Sequence, residues 1–317
     1  MRRHLHLLVA MVAVGLVAAG PARAEVRDRW EVTLVPPPNY DMEAADINNP
    51  LGTVTVRGWD RNEVRIVAEK WAVSAAMVKH LKVLAGFCTD GSVCVKTYVI
   101  VAAGQKALPI AAGRIDLVMD LPRRLPLKAR TFVGDLEAVG MRAGAHLESK
   151  SGAIRVRDVH GRVTSRTLRG SQTVASVRGS VELDGVAGDL DLMQVVGDRL
   201  VAKTVEGSIR VNKVRAQMVR LSTTAGEIWL LDLQTSGGGR YELSTFDGGI
   251  RLRPVMPASF DLVARNLRGR FVSKHPLTVK SRSARVVRAS LGPPPGPAAA
   301  PSGASFTLTA YGDISLE

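Results

Sequence analysis

Short runs of alternating apolar and polar residues fill most of the chain, and in its middle each run is set off by a glycine. Gly152, Gly161, Gly170, Gly179, Gly188 and Gly197 fall nine residues apart, and Gly207 follows after ten. Behind most of them comes an alternating pair: Ile154 and Val156, Val181 and Leu183, Leu190 and Leu192, Ile209 and Val211. A fixed short period of turn plus strand predicts a stacked repeat. A longer period lies over it. Val159/Gly161, Val177/Gly179, Val195/Gly197 and Val214/Ala216 recur at 18, 18 and 19 residues. The expectation is an all-β fold, a β-solenoid resembling a right-handed parallel β-helix, with coils of two strand-plus-turn units. Three units per coil stay open. Neighbouring coils stacked about 4.8 Å apart would bury a continuous interior. Ile154, Val156, Val181, Leu183, Leu190, Leu192, Ile209, Val211, Ile228 and Leu230 should point inward. Arg155, Arg157, Glu182, Asp191 and Arg210 should point outward. The alternative is an antiparallel β-sandwich, which short strands at regular spacing also fit.

Three segments follow from the same pattern. Residues 134–317 are the predicted solenoid, with a Pro/Ala-rich loop at 293–303. Residues 25–133 read as an N-terminal strand module that caps it, with strands at Trp30–Val35, from Gly52 and from Val64. Within that module Met77, Leu81 and Leu84 recur at helical spacing between Ser74 and Gly86, which predicts one short helix over 74–86. The terminal strands Phe306–Leu308 and Ile314–Leu316 are expected to finish the other end of the solenoid.

Residues 1–24 have the layout of a secretion signal. Arg2 and Arg3 precede an apolar run, and Ala22 and Ala24 occupy the small cleavage positions. Cleavage removes Arg2, Arg3 and Arg23 and lowers the formal charge from +14 to +11. An exported chain, periplasmic or at the cell surface, with that charge favours anionic partners: lipopolysaccharide, an acidic glycan or a surface protein. Scarce aromatic residues and export argue against nucleic acid. Cys88 and Cys94 flank Asp90-Gly91, a tight-turn signal. An oxidising compartment predicts a disulfide stapling that hairpin.

The order of these motifs resembles the bacterial putative-adhesin family of β-strand-repeat domains of unknown function. An early Asn48-Asn49-Pro50-Leu51-Gly52-Thr53-Val54-Thr55-Val56 strand is followed by the insert at 74–86 and by Val118-Met119-Asp120-Leu121-Pro122. Repeat units then read Ser151-Gly152-Ala153-Ile154-Arg155-Val156, Glu206-Gly207-Ser208-Ile209 and Ala225-Gly226-Glu227-Ile228, and the chain closes on Gly312-Asp313-Ile314. The resemblance implies an exported or surface-associated β-solenoid with no established enzymatic role, and it supplies no binding residues.

The residues themselves offer little chemistry. His80, His146, His160 and His275 are scattered, with no carboxylate, Cys or second His at ligand spacing. Asp116, Asp120, Asp184, Asp189 and Asp191 invite a search for paired catalytic carboxylates. On alternating strands, however, Asp189 and Asp191 share an outward face beside arginines, and solvated ion pairs are the expectation. Calcium β-roll repeats need recurring Asp where this chain has Arg or Ser. The expectation is no enzyme, no metal and no cofactor; a polysaccharide lyase-like activity is the reading that a carboxylate cluster would revive. What remains is an outward basic population. Arg155, Arg157, Arg178, Arg210 and Arg220 are the candidate anion-binding residues, since Arg takes phosphate or carboxylate bidentately. The function expected is adhesion or envelope binding through a basic face, with a structural scaffold of the envelope as the alternative.

Overall fold

The computed structural model describes residues 26–99, 113–292 and 303–317. The predicted signal 1–24 and all but the last residue of the Pro/Ala-rich stretch 293–303 lie outside the described residues.

The entry region forms β1 (Val26–Leu34), β2 (Ala44–Leu51), β3 (Val54–Trp59) and β4 (Val64–Ala72), then the helical turn α1 (Ala75–Val78), then β5 (Leu81–Phe87), β6 (Ser92–Val99) and β7 (Gly113–Pro122). Pairs of strands follow. They are β8 (Leu127–Val133) with β9 (Leu136–Val139), β10 (Ala145–Ser151) with β11 (Ile154–His160), and β12 (Val163–Arg169) with β13 (Gln172–Arg178). Next come β14 (Val181–Ala187) with β15 (Leu190–Val196), β16 (Arg199–Glu206) with β17 (Ile209–Arg215), β18 (Met218–Ala225) with β19 (Ile228–Gln234), and β20 (Arg240–Asp247) with β21 (Ile250–Pro254). The chain closes with β22 (Phe260–Asn266), β23 (Phe271–Ser273), β24 (Thr278–Arg282), β25 (Val286–Leu291), β26 (Ala304–Ala310) and β27 (Ile314–Leu316).

The strands make two sheets. Sheet I has 13 strands in the order β1-β4-β7-β3-β9-β11-β13-β15-β17-β19-β21-β27-β23. Sheet II has 14, in the order β24-β25-β22-β26-β20-β18-β16-β14-β12-β10-β8-β2-β6-β5. Each coil therefore places one strand in each sheet, and two strands per coil is the answer to the question the sequence left open. Equivalent positions stack in parallel register: Ile154 on Gln172, on Leu190, on Ile209, on Ile228. Those parallel ladders exclude the sandwich. The ten residues expected inside are all buried to 2% exposure or less. They belong to one core that runs from Met42 to Leu316.

The glycine beat of nine arises because two corners alternate. At the corner leading from sheet II to sheet I, Gly170 has φ +142°, and a Cβ there would stand 2.1 Å from the Gly152 oxygen of the preceding coil. At the opposite corner Gly179 has φ +148°, and a Cβ there would stand 2.0 Å from the Gly161 oxygen. Stacked turns come so close that no side chain fits between them. The first corner is also bonded from inside. The hydroxyls of Ser149, Thr167, Thr204, Thr223 and Thr245 donate to the oxygens of Gly134, Gly152, Gly188, Gly207 and Gly226 at 2.8–3.4 Å. The ladder skips Gly185. There Gln172, set in the column of Ile154 and Leu190, reaches over and donates to the Asp184 oxygen at 2.7 Å.

A third ladder bends five successive strands of sheet I, β11, β13, β15, β17 and β19. Asp158, Ser176, Gln194, Lys213 and Asp232 all hold φ between 52° and 57°. This left-handed residue breaks the alternation, so Val159, Val177, Val195, Val214 and Leu233 turn inward as well.

Antiparallel strands close both ends. β1 and β4 cover sheet I and β5 covers sheet II at the N-terminal end, while β25 and β24 cover sheet II at the other. Two expectations need correction here. The helix is one turn and not 74–86. Ser74 does cap it, accepting from the Met77 N–H at 3.3 Å, but Leu81 to Phe87 pair antiparallel with β6. Leu81 is buried and Leu84 is 59% exposed, so the apparent helical spacing joins residues on different faces. Closing the edge of β6 satisfies a row of backbone groups that a helix would have left bare. The C-terminal strands do not finish the solenoid either. β26 lies between β20 and β22, and β27 between β21 and β23. The chain first lays down the outer coil and then inserts its last one beneath it.

Candidate functional site

Outward positions stack as regularly as inward ones. In sheet II the residue two places before each corner glycine points out, at Phe132, Lys150, Leu168, Val186, Val205, Thr224 and Phe246. Pairing continues the column to Pro50 and Tyr98 at one end and to Tyr311 and Leu267 at the other. Eleven rungs span about 50 Å. Phe132, Leu168, Val186, Val205 and Phe246 are 44–67% exposed. A solvated sheet face ordinarily carries polar residues there, but of the seven repeat positions only Lys150 and Thr224 are polar.

The row deepens into a groove of about 430 Å³ around Phe132 and Leu168. Its flanks are Arg130, Glu148, Lys150 and Arg166. The Lys150 ammonium sits 4.6 Å from the centre of the Phe132 ring. Glu148 bridges two neighbours: His146 Nε2 at 3.0 Å and Arg130 at 3.7 Å. The His146–Glu148 contact corrects the reading that no histidine has a carboxylate at hand, for on a strand a spacing of two puts both side chains on one face. Arg166 is tied to Asp184 at 3.2 Å. Lys150, Lys203 and Arg169 have no carboxylate partner among the described residues. The groove thus has an apolar floor flanked by three cations and Glu148, and of those cations Lys150 is the one without a carboxylate partner among the described residues.

The five arginines nominated from the sequence do not share one face. Arg155, Arg157, Arg178 and Arg210 are on sheet I, and Arg220 is on sheet II. Four of them reach a carboxylate on a neighbouring coil: Arg155 to Asp135 at 3.0 Å, Arg157 to Glu137 at 3.2 Å, Arg210 to Asp189 at 2.8 Å, and Arg220 to Glu242 at 2.7 Å. Arg210 also contacts Asp191 at 3.4 Å and lies over the Trp229 ring. Arg178 has no carboxylate partner among the described residues, and stands at a sheet I corner with His160, Lys213 and Val196.

The carboxylates are spoken for in the same way. Asp116 contacts Arg114, Asp120 contacts Arg65, and Asp184 contacts Arg166. Asp189 is held below the usual carboxylate range, first by the Ser208 backbone N–H donated at 2.9 Å and then by Arg210. Asp135 makes the same contact with the Ala153 N–H at 2.8 Å. This Asp after the corner glycine is a coil-to-coil tie that the sequence reading missed, although Gly134-Asp135, Gly188-Asp189 and Gly312-Asp313 announce it. The lowered value means that Asp189 stabilises the fold above its unfolded pKa, near 3.9, and ceases to as pH falls through its folded value. Asp189→Asn should therefore flatten the fall in unfolding free energy between pH 5 and pH 2.5, by no more than about 1 kcal/mol at this exposure. Identical pH profiles for variant and parent would contradict the tie.

Cys88 and Cys94 are joined in a disulfide. The bridge runs diagonally across the β5–β6 hairpin, because Cys94 pairs with Gly86 while the Cys88 N–H donates to the Ser92 oxygen. Asp90 lies beside the two sulfurs, but sulfurs bonded to each other are closed to a metal ion. Among the described residues no helix is long and apolar enough to cross a membrane.

No family model matches the chain, and no curated protein matches it. Two solved structures are similar in layout. One is a candidate cell adhesion protein from Clostridium sporogenes, 7% identical, with 91% of this chain and 99% of that chain covered at a TM-score of 0.22. The other is a candidate lipid-binding protein from Parabacteroides distasonis, 8% identical, with 92% and 96% covered at a TM-score of 0.40. At these scores neither likeness bears on what the chain binds.

Proposed function

We propose that this is an exported, non-enzymatic recognition protein of the cell envelope, which binds an anionic surface glycan or glycolipid along the outer face of sheet II. The observation that carries this reading is the exposed, mostly apolar column that includes Phe132 and Leu168, with unpaired cations beside it. Pyranose rings and acyl chains have apolar faces that a Phe–Leu floor can cover, while Lys150, Arg169 and Lys203 can meet phosphate or carboxylate groups. The resemblance to adhesin-like repeat domains and the signal-like leader agree with an envelope location. Arg178 remains a second contact point for an anionic chain on sheet I. The other four nominated arginines, three on sheet I and Arg220 on sheet II, could bind an anion only by leaving their carboxylates.

The test is binding of the protein to purified lipopolysaccharide, peptidoglycan and a neutral glycan across a salt series. Binding to lipopolysaccharide should weaken with salt yet persist near physiological strength. Phe132→Ser combined with Lys150→Glu should weaken it about tenfold or more, with Tm unchanged because both side chains are at the surface. Equal weak binding to every polyanion, lost at modest salt and indifferent to the double variant, would sink the proposal.

A further inference from the structure

The C-terminal mouth of the solenoid holds a second site, independent of the sheet II groove. Sheet I stops at β23, whereas sheet II continues past β22 to β25 and β24. The interior is therefore roofed on one side only, and a pocket of about 310 Å³ opens beneath the overhang. Three arginines line it: Arg270 on the approach to β23, Arg282 at the end of β24, and Arg285 in the turn before β25. Among the described residues no carboxylate lines it. Asp313 reaches its margin only by accepting from the Arg270 backbone N–H at 2.7 Å. None of the three guanidiniums has a carboxylate partner among the described residues, in a chain whose repeat arginines are mostly paired.

At the inner wall stands Asn266, the last residue of β22. It stands in line with the interior polar column of Thr131, Ser149, Thr167 and Thr245, one rung beyond Ala310. Asn49 lies in the same column near the other end and is fully engaged. It donates to the Ile115 oxygen at 2.8 Å and to the Thr53 oxygen, and accepts from the Thr97 hydroxyl. Asn266 is only 6% exposed, yet neither its Nδ2 nor its Oδ1 has a partner. A buried amide left without partners is costly. Here Asn266 lines a pocket that also carries three arginines.

We infer that this mouth is a binding site for a phosphate-bearing ligand, with Arg270, Arg282 and Arg285 holding the phosphate and Asn266 bonding the group attached to it. Guanidinium forks match phosphate oxygens bidentately, and an amide offers both a donor and an acceptor to a neighbouring hydroxyl. The volume suits a phosphate with about one sugar unit. The Phe271 ring at the rim supplies a flat apolar wall.

Calorimetric titration of the protein with glucose 6-phosphate, inorganic phosphate and glucuronate, and with phosphatidic acid vesicles, tests this. Glucose 6-phosphate should bind more tightly than phosphate, and glucuronate more weakly than either. Vesicle binding in place of the soluble esters would assign the phosphate to a lipid headgroup. Arg282→Gln and Arg285→Gln, both at exposed positions, should each weaken the phosphate-bearing probe about tenfold. Asn266→Leu should remove the preference for glucose 6-phosphate over phosphate while leaving Tm equal or higher, since an orphaned amide is lost. Phe132→Ser with Lys150→Glu should change none of these values. No binding of any phosphate probe, binding indifferent to the arginine variants, or preference for glucuronate would overturn the assignment.

Discussion

Gly170→Ala should destabilise the protein by about 3–5 kcal/mol, as measured by urea unfolding. Two causes add. Alanine is strained at the positive φ of this corner, and its Cβ would meet the Gly152 oxygen at 2.1 Å. The obstacle is backbone held by its own stack, so no side chain can swing aside. Relief requires prising two coils apart, which loosens both parallel ladders of that coil and the Thr167 bond to the Gly152 oxygen. Gly238→Ala is the matched control. Gly238 also has a positive φ, but a Cβ there meets nothing within 4 Å. It should cost only about 1 kcal/mol, the conformational part alone. Equal losses at the two sites would show that the corners are not stacked as described.

Removing residues 304–317 should have the largest effect on the C-terminal end. The deletion takes away β26 and β27, the coil inserted between β20–β21 and β22–β23. Phe306, Leu308, Ile314 and Leu316 leave the core with it, each within 1% of full burial. Their burial stabilises by roughly 6–12 kcal/mol between them. Phe306 also stacks on Tyr241 at 4.5 Å and packs against Phe260 at 4.6 Å. The strands β22 to β25 then have no ladder to dock on. Hydrogen exchange across 260–291 should become fast, while β8 to β19 keep their protection, because each coil depends only on its neighbours. Retained protection in 260–291 would mean that the outer coil stands without the inserted one.

Much of this architecture is legible in the residues. Gly152 to Gly207 set the coil length, and Ile154, Leu190 and Ile209 set the register, because a stacked turn tolerates little besides glycine and an inward column must be apolar. The end caps are harder to read. β26 and β27 look like any other repeat unit, and nothing local says that they slip under a coil laid down earlier. That is a long-range pairing choice. Met77, Leu81 and Leu84 mislead because three residues at helical spacing also occur by chance in a short turn followed by a strand.

The site was less legible than the fold. Charge counting points to Arg155, Arg157, Arg210 and Arg220, but a neighbouring coil brings each of them a carboxylate from 20 to 22 residues away. The signal that was available lay in Phe132, Leu168, Val186, Val205 and Phe246. All stand two places before a corner glycine, out of phase with the inward residues. Read as separate strands they look like ordinary exposed hydrophobics, and only the parallel register lines them up. Asn266, Arg282 and Arg285 carry no local pattern, since their meeting depends on how the two sheets end.

The central claim is that recognition belongs to the outer face of sheet II. Hydrogen exchange of the protein with and without lipopolysaccharide tests it directly. Added protection should fall on 128–133, 146–151 and 164–169, with the sheet I strands β11 and β13 unchanged. Protection confined to β11, β13 and β17, or absent from both sheets while binding persists, would contradict the account.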